Sequence, residues 1–205
     1  MPAEDIVHVI DDDEAVRQSL EFLLKSADMN VRTYDSAGAF LDVLNEGAAG
    51  CVVTDVRMPQ MSGLELLQRV HETHPDLPVI IITGHGDVPL AVEAMKQGAV
   101  DFFEKPFDDE ALLGAVRAAF GRKDNDDGRD AERRELARRI EALSGRERQV
   151  LEGLVAGHPN KIIAFDLGIS PRTVEIYRAN LMTKMQAASL SDLVRMALIA
   201  GRDRL

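Results

Sequence analysis

The feature that most restricts the fold of this chain is an alternation, over residues 6–120, of short apolar runs with segments of helical periodicity. Three of the runs are nearly continuous in β-branched residues, as strands buried on both faces are: Ile6–Ile10, Cys51–Thr54 and Val79–Thr83. Two weaker runs, Val31–Tyr34 and Val100–Phe103, complete a set of five. Strands that alternate with helices build βαβ units, so the pattern predicts a doubly wound α/β domain around a five-stranded parallel sheet.

Polar side chains follow the predicted strands where they end. Asp11 and Asp12 follow the first strand, Asp55 the third, Thr83 ends the fourth and Lys105 follows the fifth. In such sheets, ligands bind at the carboxyl ends of the strands, so these groups are expected to converge. Clustered carboxylates favour a hard cation such as Mg²⁺, and an ammonium and a hydroxyl beside them suit a phosphoryl group, which an aspartate can accept.

Four segments, in this order, resemble the receiver domain of two-component response regulators. The resemblance covers residues 4–122 and is carried by Val9-Ile10-Asp11-Asp12-Asp13, Val53-Thr54-Asp55-Val56-Arg57-Met58-Pro59, Ile82-Thr83-Gly84 and Phe102-Phe103-Glu104-Lys105-Pro106. It implies a flavodoxin-like fold in which Asp55 accepts a phosphoryl group from a sensor histidine kinase. Asp55 would also bind Mg²⁺, together with Asp11, Asp12 and the backbone carbonyl of Arg57.

The same resemblance assigns roles to residues around the acceptor. Thr83 and Lys105 would contact the phosphoryl oxygens, and Phe102 would turn inward when Thr83 moves toward the phosphate. The Lys105–Pro106 peptide bond would be cis. Phosphorylated receivers of this family dimerise, and the candidates for that interface are Val92, Met95 and Lys96.

The segment 123–142 is predicted to link the receiver to a second module. Its first residues, Lys123–Gly128, are polar and break regular structure. Leu136, Ile140 and Leu143 then recur at helical spacing, which predicts a short amphipathic helix over about 131–142. The apolar stripe is narrow, so weak docking and a solvated tether both remain open.

Residues 143–205 are predicted to form a small all-α domain of four short helices. Ser144 and Glu147 make a capping box, and Gly168 separates two helices in a helix-turn-helix order. The stretch resembles the LuxR/FixJ-type helix-turn-helix domain of response regulators in Leu143-Ser144-Gly145-Arg146-Glu147-Arg148, Asn160-Lys161, Ile169-Ser170 and Arg172-Thr173-Val174-Glu175. That resemblance implies binding to double-stranded promoter DNA.

The third helix of this domain is expected to enter the major groove. At about 100° per residue, Val174, Leu181 and Met185 lie on the core side. The opposite, groove-facing side comprises Arg172, Glu175, Ile176, Ala179 and Thr183. Candidates for phosphate contacts are Lys161, Thr173, Arg178 and Lys184.

The distribution of charge along the chain also indicates two modules that bind different partners. Residues 1–122 hold 9 Lys and Arg against 22 Asp and Glu, whereas residues 143–205 hold 9 against 6. A single cysteine excludes a disulfide scaffold, and the absence of a long apolar run or a basic apolar leader argues against a membrane protein. We therefore expect a cytoplasmic protein.

Together these features predict a transcriptional regulator that phosphorylation activates by dimerisation, and not a dedicated enzyme. The family resemblance favours an activator of nitrogen-fixation genes, with RNA polymerase as a further partner. A Mg²⁺ phosphatase using Asp55 is disfavoured, because haloacid-dehalogenase-type enzymes need a general acid where this chain has Arg57. A flavodoxin-like cofactor binder is also disfavoured, because the acidic residues would repel a phosphate group where a glycine-rich backbone is needed. The attached helix-turn-helix module disfavours a stand-alone receiver.

Overall fold

The computed structural model describes residues 6–44, 49–84, 88–121 and 126–201. The chain divides into two compact units, one of 1–85 with 97–124 and one of 86–96 with 125–205. None of the described helices is long and apolar enough to cross a membrane.

The first unit is built on a parallel five-stranded sheet, which confirms the predicted fold class. Its strands are β1 (Ile6–Ile10), β2 (Asn30–Tyr34), β3 (Cys51–Asp55), β4 (Val79–Thr83) and β5 (Asp101–Glu104). They are ordered β2-β1-β3-β4-β5, and all neighbours are parallel. The predicted strands differ by at most one residue at an end. The order reverses between β1 and β3, the place where ligands bind in such sheets.

Four of the described helices belong to this unit: α1 (Glu14–Ser26), α2 (Ala37–Leu44), α3 (Gly63–Thr73) and α5 (Asp109–Gly121). Asp13 caps α1 by accepting from the backbone of Ala15 and Val16, and Ser62 caps α3 in a capping box. One apolar cluster joins alternate residues of β1, β3 and β4, such as Val7 and Val53, to α1 and α5. The fixed sheet thus holds the strand ends in register.

His8 is a buried polar residue on the other face of β1. Its ring lies against Phe40 of α2 and Tyr34 of β2. Nε2 is 3.2 Å from the carbonyl oxygen of Ala49, which can only accept, so Nε2 donates. The neutral ring then accepts at Nδ1 from the Tyr34 hydroxyl, 3.0 Å away. Burial lowers the pKa of His8, more than the hydrogen bond to Ala49 raises it.

The second unit is helical. Its helices are α4 (Val88–Lys96), α6 (Asp126–Glu141), α7 (Gly145–Val155), α8 (Asn160–Leu167), α9 (Pro171–Met185) and α10 (Leu190–Gly201). The core of α7–α10 includes Leu154, Ile163 and Leu181. Gly168 ends α8 at a φ of 64°, a left-handed conformation that glycine adopts without strain, and Ser170 caps α9 at once. This short turn sets α8 and α9 in the helix-turn-helix arrangement.

The segment predicted as a linker helix is longer than expected and packs on this core. Helix α6 begins at Asp126 rather than near residue 131. Leu136 is 4% exposed, and the Arg139 guanidinium donates at 2.9 Å to the carbonyl oxygen of Met185 at the end of α9. The tether interpretation is therefore wrong for the described part of the segment, because both an apolar and a charge-assisted contact hold it.

Candidate functional site

The ends of β1 and β3 bring two carboxylates together at the centre of the sheet. Ile10 pairs with Thr54 in the parallel register, so the residues that follow each, Asp11 and Asp55, emerge side by side. Both are buried, at 3% and 8% exposure. Two buried carboxylates repel each other unless a cation accompanies them.

Lys105 supplies that cation. Its Nζ donates to Asp11 Oδ2 at 2.9 Å and to Asp55 Oδ1 at 2.8 Å. Burial alone would lower the pKa of Lys105, but the hydrogen bonds and charges of Asp55 and Asp11 outweigh it and raise the pKa. The ammonium therefore stays charged and faces the two carboxylates, from a position fixed by its backbone N–H, which donates to the Thr83 carbonyl at 2.7 Å.

The second oxygen of Asp55 is held by the loop that follows it. The backbone N–H of Arg57 donates to Asp55 Oδ2 at 2.6 Å. Gly63, at the start of α3, packs so closely that a Cβ there would lie 2.1 Å from the Asp55 carbonyl oxygen. The first contact fixes the direction of the Asp55 carboxylate, whereas the second lies against the backbone of Asp55 and requires glycine.

The donor chemistry of the site fits a hard divalent cation. Asp11 and Asp55 already direct one oxygen each at a single positive group, and the carboxylate of Asp12 makes no hydrogen bond to the described residues and is exposed. Within the described residues, no three His, Cys, Asp or Glu side chains lie close enough together to hold a metal ion. The structure thus brings together two of the three predicted carboxylates, with Lys105 between them.

The other predicted receiver residues lie around this centre. Thr83 is fully buried at the end of β4, and Phe102 on β5 is already inside, at 8% exposure. The Lys105–Pro106 peptide bond is cis, which confirms that expectation. The side chain of Arg57 is exposed.

The candidates for a dimer interface lie on α4. Val92 and Met95 are 2% and 6% exposed within the single chain, whereas Lys96 is exposed. A dimer that used the first two side chains would first have to uncover them.

In the second unit, α9 presents the two faces that helical spacing predicts. Val174, Leu181 and Met185 are fully buried. All five residues of the predicted groove side, Arg172, Glu175, Ile176, Ala179 and Thr183, are exposed. Ile176 is 56% exposed, a large apolar group on an otherwise polar face.

Three of the four candidates for phosphate contacts are engaged within the domain. Arg178 donates to Asn160 Oδ1 at 3.0 Å, Lys184 donates to Glu147 Oε2 at 2.7 Å, and the Thr173 hydroxyl lies 2.8 Å from that of Ser170. Lys161 is exposed and makes no hydrogen bond to the described residues through its ammonium group. Arg178 and Lys184 therefore each use one donor to join α9 to another helix, and Thr173 is engaged at the cap of α9 itself.

Glu147 is the buried carboxylate of this unit. Its Oε2 accepts from Lys184 and, at 2.8 Å, from the backbone N–H of Ser144, while Ser144 Oγ accepts from the Glu147 N–H. The hydrogen bond from Lys184, followed by those from Ser144, lowers the pKa of Glu147 from 4.5 to about 2. The predicted capping box is confirmed, and it is coupled to α9 through a residue that the sequence alone does not pair.

Sequence reasoning also missed Arg17 of α1. Its Nη1 donates to the carbonyl oxygens of Asp11 at 2.7 Å and Asp12 at 3.0 Å, so it holds the backbone of the acidic loop. The contact joins a side chain to backbone carbonyls, and residue types at a given spacing do not reveal such a bond. Its position in the first turns of α1 was the only signal.

Comparison with known families divides the chain in the same way. Residues 7–117 match the response regulator receiver domain, and residues 141–197 match the bacterial regulatory proteins of the luxR family. Both resemblances inferred from the sequence are confirmed.

Known proteins resemble the chain over nearly its full length. It is 61% identical to the transcriptional regulatory protein FixJ of Azorhizobium caulinodans over 201 residues, 98% of this chain and 95% of that protein. It is 52% identical to FixJ of Rhizobium meliloti over 200 residues, 95% of this chain and 96% of that one. The crystal structure of full-length FixJ from B. japonicum is 54% identical and covers 98% of both chains with a TM-score of 0.57.

Proposed function

The chain belongs to the FixJ-like response regulators, in which a receiver domain precedes a LuxR-type DNA-binding domain, and on this premise we propose that it switches promoter binding by phosphorylation of Asp55. It is a transcriptional regulator; the phosphoacceptor, the metal, the dimer and the target genes are the parts we propose. The observation that supports the proposal most strongly is the cluster of Asp11, Asp55 and Lys105, joined by bonds of 2.9 and 2.8 Å at the reversal point of the sheet.

The proposed chemical step transfers a phosphoryl group from a phosphohistidine of a sensor kinase. An oxygen of Asp55 forms a bond to phosphorus as the bond from phosphorus to the imidazole nitrogen breaks, and the imidazole leaves with a proton from solvent. Lys105 compensates the charge on the phosphoryl oxygens, and the Thr83 hydroxyl donates to one of them. The N–H of Arg57 keeps the carboxylate oriented, through its 2.6 Å bond to Oδ2.

We propose Mg²⁺ as the metal of this site. Asp11, Asp12, Asp55 and the carbonyl of Arg57 would hold it, since carboxylate and carbonyl oxygens are its preferred ligands. When bound, it supplies positive charge that reduces the repulsion between the carboxylate and the incoming phosphoryl group. The exposed carboxylate of Asp12 would have to join the two that already converge.

The second unit would bind double-stranded promoter DNA through α9. Its net charge is modest, so a single copy makes few phosphate contacts and two copies on paired half-sites would bind far more tightly. We propose that phosphorylation forms this dimer through the α4 region, with Lys96 exposed there and Val92 and Met95 uncovered as it forms. We also propose that the chain activates nitrogen-fixation genes in the cytoplasm, with RNA polymerase as a partner, and the likeness to the FixJ proteins supports a role in transcriptional regulation.

Intact-mass spectrometry after treatment with acetyl phosphate and Mg²⁺, followed by native sizing and binding to a two-fold promoter site, tests this proposal. The wild-type chain should gain the mass of one phosphoryl group, form a dimer and bind DNA more tightly. Asp55→Asn should do none of these, because an amide is not a nucleophile for phosphorus.

The matched control is Asp42→Asn, on the exposed side of α2. It makes the same chemical change away from the strand ends and should behave as wild type. Phosphoryl gain by Asp55→Asn would overturn the assignment of the acceptor. Turnover of an external phosphomonoester by the wild-type chain would instead favour a phosphatase.

A further inference from the structure

The outward face of α9 contains one amide side chain that the predicted groove contacts omit. Asn180 is exposed and makes no hydrogen bond to the described residues through its amide group. It follows Ile176 by four residues, so the two side chains are neighbours on the same side of the helix. Ile176 is 56% exposed, and both lie away from the buried Val174 and Leu181.

Several polar side chains of α9 already make hydrogen bonds within the domain, which the sequence alone does not show. The Thr183 hydroxyl donates to the carbonyl oxygen of Ala179 at 3.1 Å, within its own helix. Ala179 has no polar side-chain atom, and Arg178 and Lys184 are held by Asn160 and Glu147. The exposed polar groups of this face that make no hydrogen bond to the described residues are those of Arg172, Glu175 and Asn180.

Of these three, only the amide offers a donor and an acceptor side by side. That pair matches adenine in the major groove, where N7 accepts and the N6 amino group donates. A carboxylate can only accept, and a guanidinium can only donate, so Glu175 and Arg172 match cytosine and guanine instead. The chemistry of Asn180 therefore selects one base.

Resting on the proposed binding of promoter DNA, we propose that Asn180 determines sequence specificity by contacting an adenine in each half-site. Four residues of helix rise by about 6 Å, and base pairs are spaced by about 3.4 Å. The adenine should thus lie one or two base pairs from the base pair that faces Ile176, where an exposed apolar side chain suits the methyl group of thymine. The preferred half-site is then expected to contain an adenine and a thymine at that separation.

Selection from a randomised duplex library, followed by sequencing, tests the proposal. The full-length chain is treated with acetyl phosphate and Mg²⁺ and compared with Asn180→Ala and Asn180→Asp. The wild type should enrich adenine at one position of each half-site, and Asn180→Ala should lose about 5- to 150-fold of that discrimination. Asn180→Asp keeps the size of the side chain but loses its donor, so the preference for adenine should also fall.

A matched control is Gln149→Ala, which removes an exposed amide from α7. This variant should enrich the same DNA sequence as the wild-type chain. A second readout is the dependence of affinity on salt, which should keep its slope in Asn180→Ala, because a neutral amide releases no counterions.

Two results would overturn the role of Asn180: base preferences that are unchanged in Asn180→Ala, or an equal loss of affinity for all sequences, as expected of a phosphate contact. Loss of preference in the Gln149 control would also overturn it, since the effect would not be specific to α9. If the wild-type chain enriched no sequence at all, the proposed DNA-binding function itself would fail.

Discussion

Each unit of the molecule contains a lysine that forms salt bridges with buried carboxylates, and the two arrangements differ. In the first unit, Lys105 is shared by Asp11 and Asp55, which come from different strands. In the second, Lys184 pairs with Glu147 alone, and the same carboxylate completes a helix cap. One positive charge faces two negative charges in the first case and one in the second.

This difference in net charge distinguishes a reactive site from a structural one. The cluster at Lys105 remains negative and can accept a further cation, and the bonds that Lys105 donates to it do not define a helix. The pair at Glu147 is neutral, and its hydrogen bonds are used to fix the start of α7 against α9. Substitutions in the first should change chemistry, and substitutions in the second should change stability.

The largest effect is expected for Lys105→Met. Loss of a positioned donor to a developing charge costs roughly 100- to 1,000-fold in rate, so labelling by acetyl phosphate should slow by that order. Mass spectrometry over time measures it, and Lys25→Met, an exposed lysine on α1, should label at the wild-type rate. Normal labelling of Lys105→Met would remove the distinction between the two pairs.

Glu147→Gln should leave labelling unchanged and destabilise α7 and α9 by roughly 1–2 kcal/mol, because the charge-assisted bonds weaken. Hydrogen exchange of peptides from these helices measures the change. Glu152→Gln, on the exposed side of the same helix, is the control. A loss of phosphoryl transfer in Glu147→Gln would contradict the structural role.

The same carboxylate predicts how the second unit responds to acid. Its pKa is about 2 in the folded chain, well below the ordinary value of 4.5. Because the folded-state pKa of Glu147 is depressed, its contribution to stability is fully present above pH 4.5 and is lost as the pH falls toward 2. The protection of α7 amides in the wild type, relative to their intrinsic exchange rate at each pH, should therefore fall over this window, and Glu147→Gln should show a weaker dependence.

The first unit should respond to acid at higher pH, through His8. Its pKa is lowered from 6.5 by burial, so the unfolded chain binds the proton more readily and stability falls as the pH drops below about 6.5. The slope cannot exceed about 1.4 kcal/mol per pH unit for one proton. Exchange of β1 peptides between pH 7 and 5 measures it; His8→Gln should flatten the slope, and His71→Gln, exposed on α3, should not.

The smallest effect is expected at a pair that is not buried. Lys25 donates to Glu21 at 2.6 Å on the surface of α1, with 57% of the lysine side chain exposed. Lys25→Met should change the free energy of unfolding by about 0.3–0.5 kcal/mol, and less in high salt. Chemical denaturation at two salt concentrations measures it, and an effect as large as that of Glu147→Gln would mean that burial does not separate the pairs.

The sequence was sufficient to predict the architecture of both units because their signals are local. Continuous β-branched runs and helical periodicity gave all five strands to within one residue, and the capping residues Ser144 and Ser170 marked two helix starts. The strand-end rule also predicted that Asp11, Asp55 and Lys105 meet, since parallel strands end at one edge.

Tertiary contacts between polar groups were not accessible in this way. No pattern relates Lys184 to Glu147, or Arg178 to Asn160, although these bonds engage two of the cations predicted to contact phosphate. The sequence left docking of α6 open beside a solvated tether for a related reason. The apolar stripe of α6 is narrow, and the bond from Arg139 to the carbonyl oxygen of Met185, which adds to it, follows no sequence pattern.

The packing of α6 has a practical consequence for transplanting this DNA-binding module onto other sensory domains. The match to the luxR family begins at residue 141, so it leaves out the buried Leu136 and the Arg139 side chain that binds the end of α9. A fusion joined at that boundary would expose an apolar surface and leave the end of α9 without its cationic cap. Junctions placed ahead of Arg133 would keep both of these contacts, and hybrid regulators should be cut there.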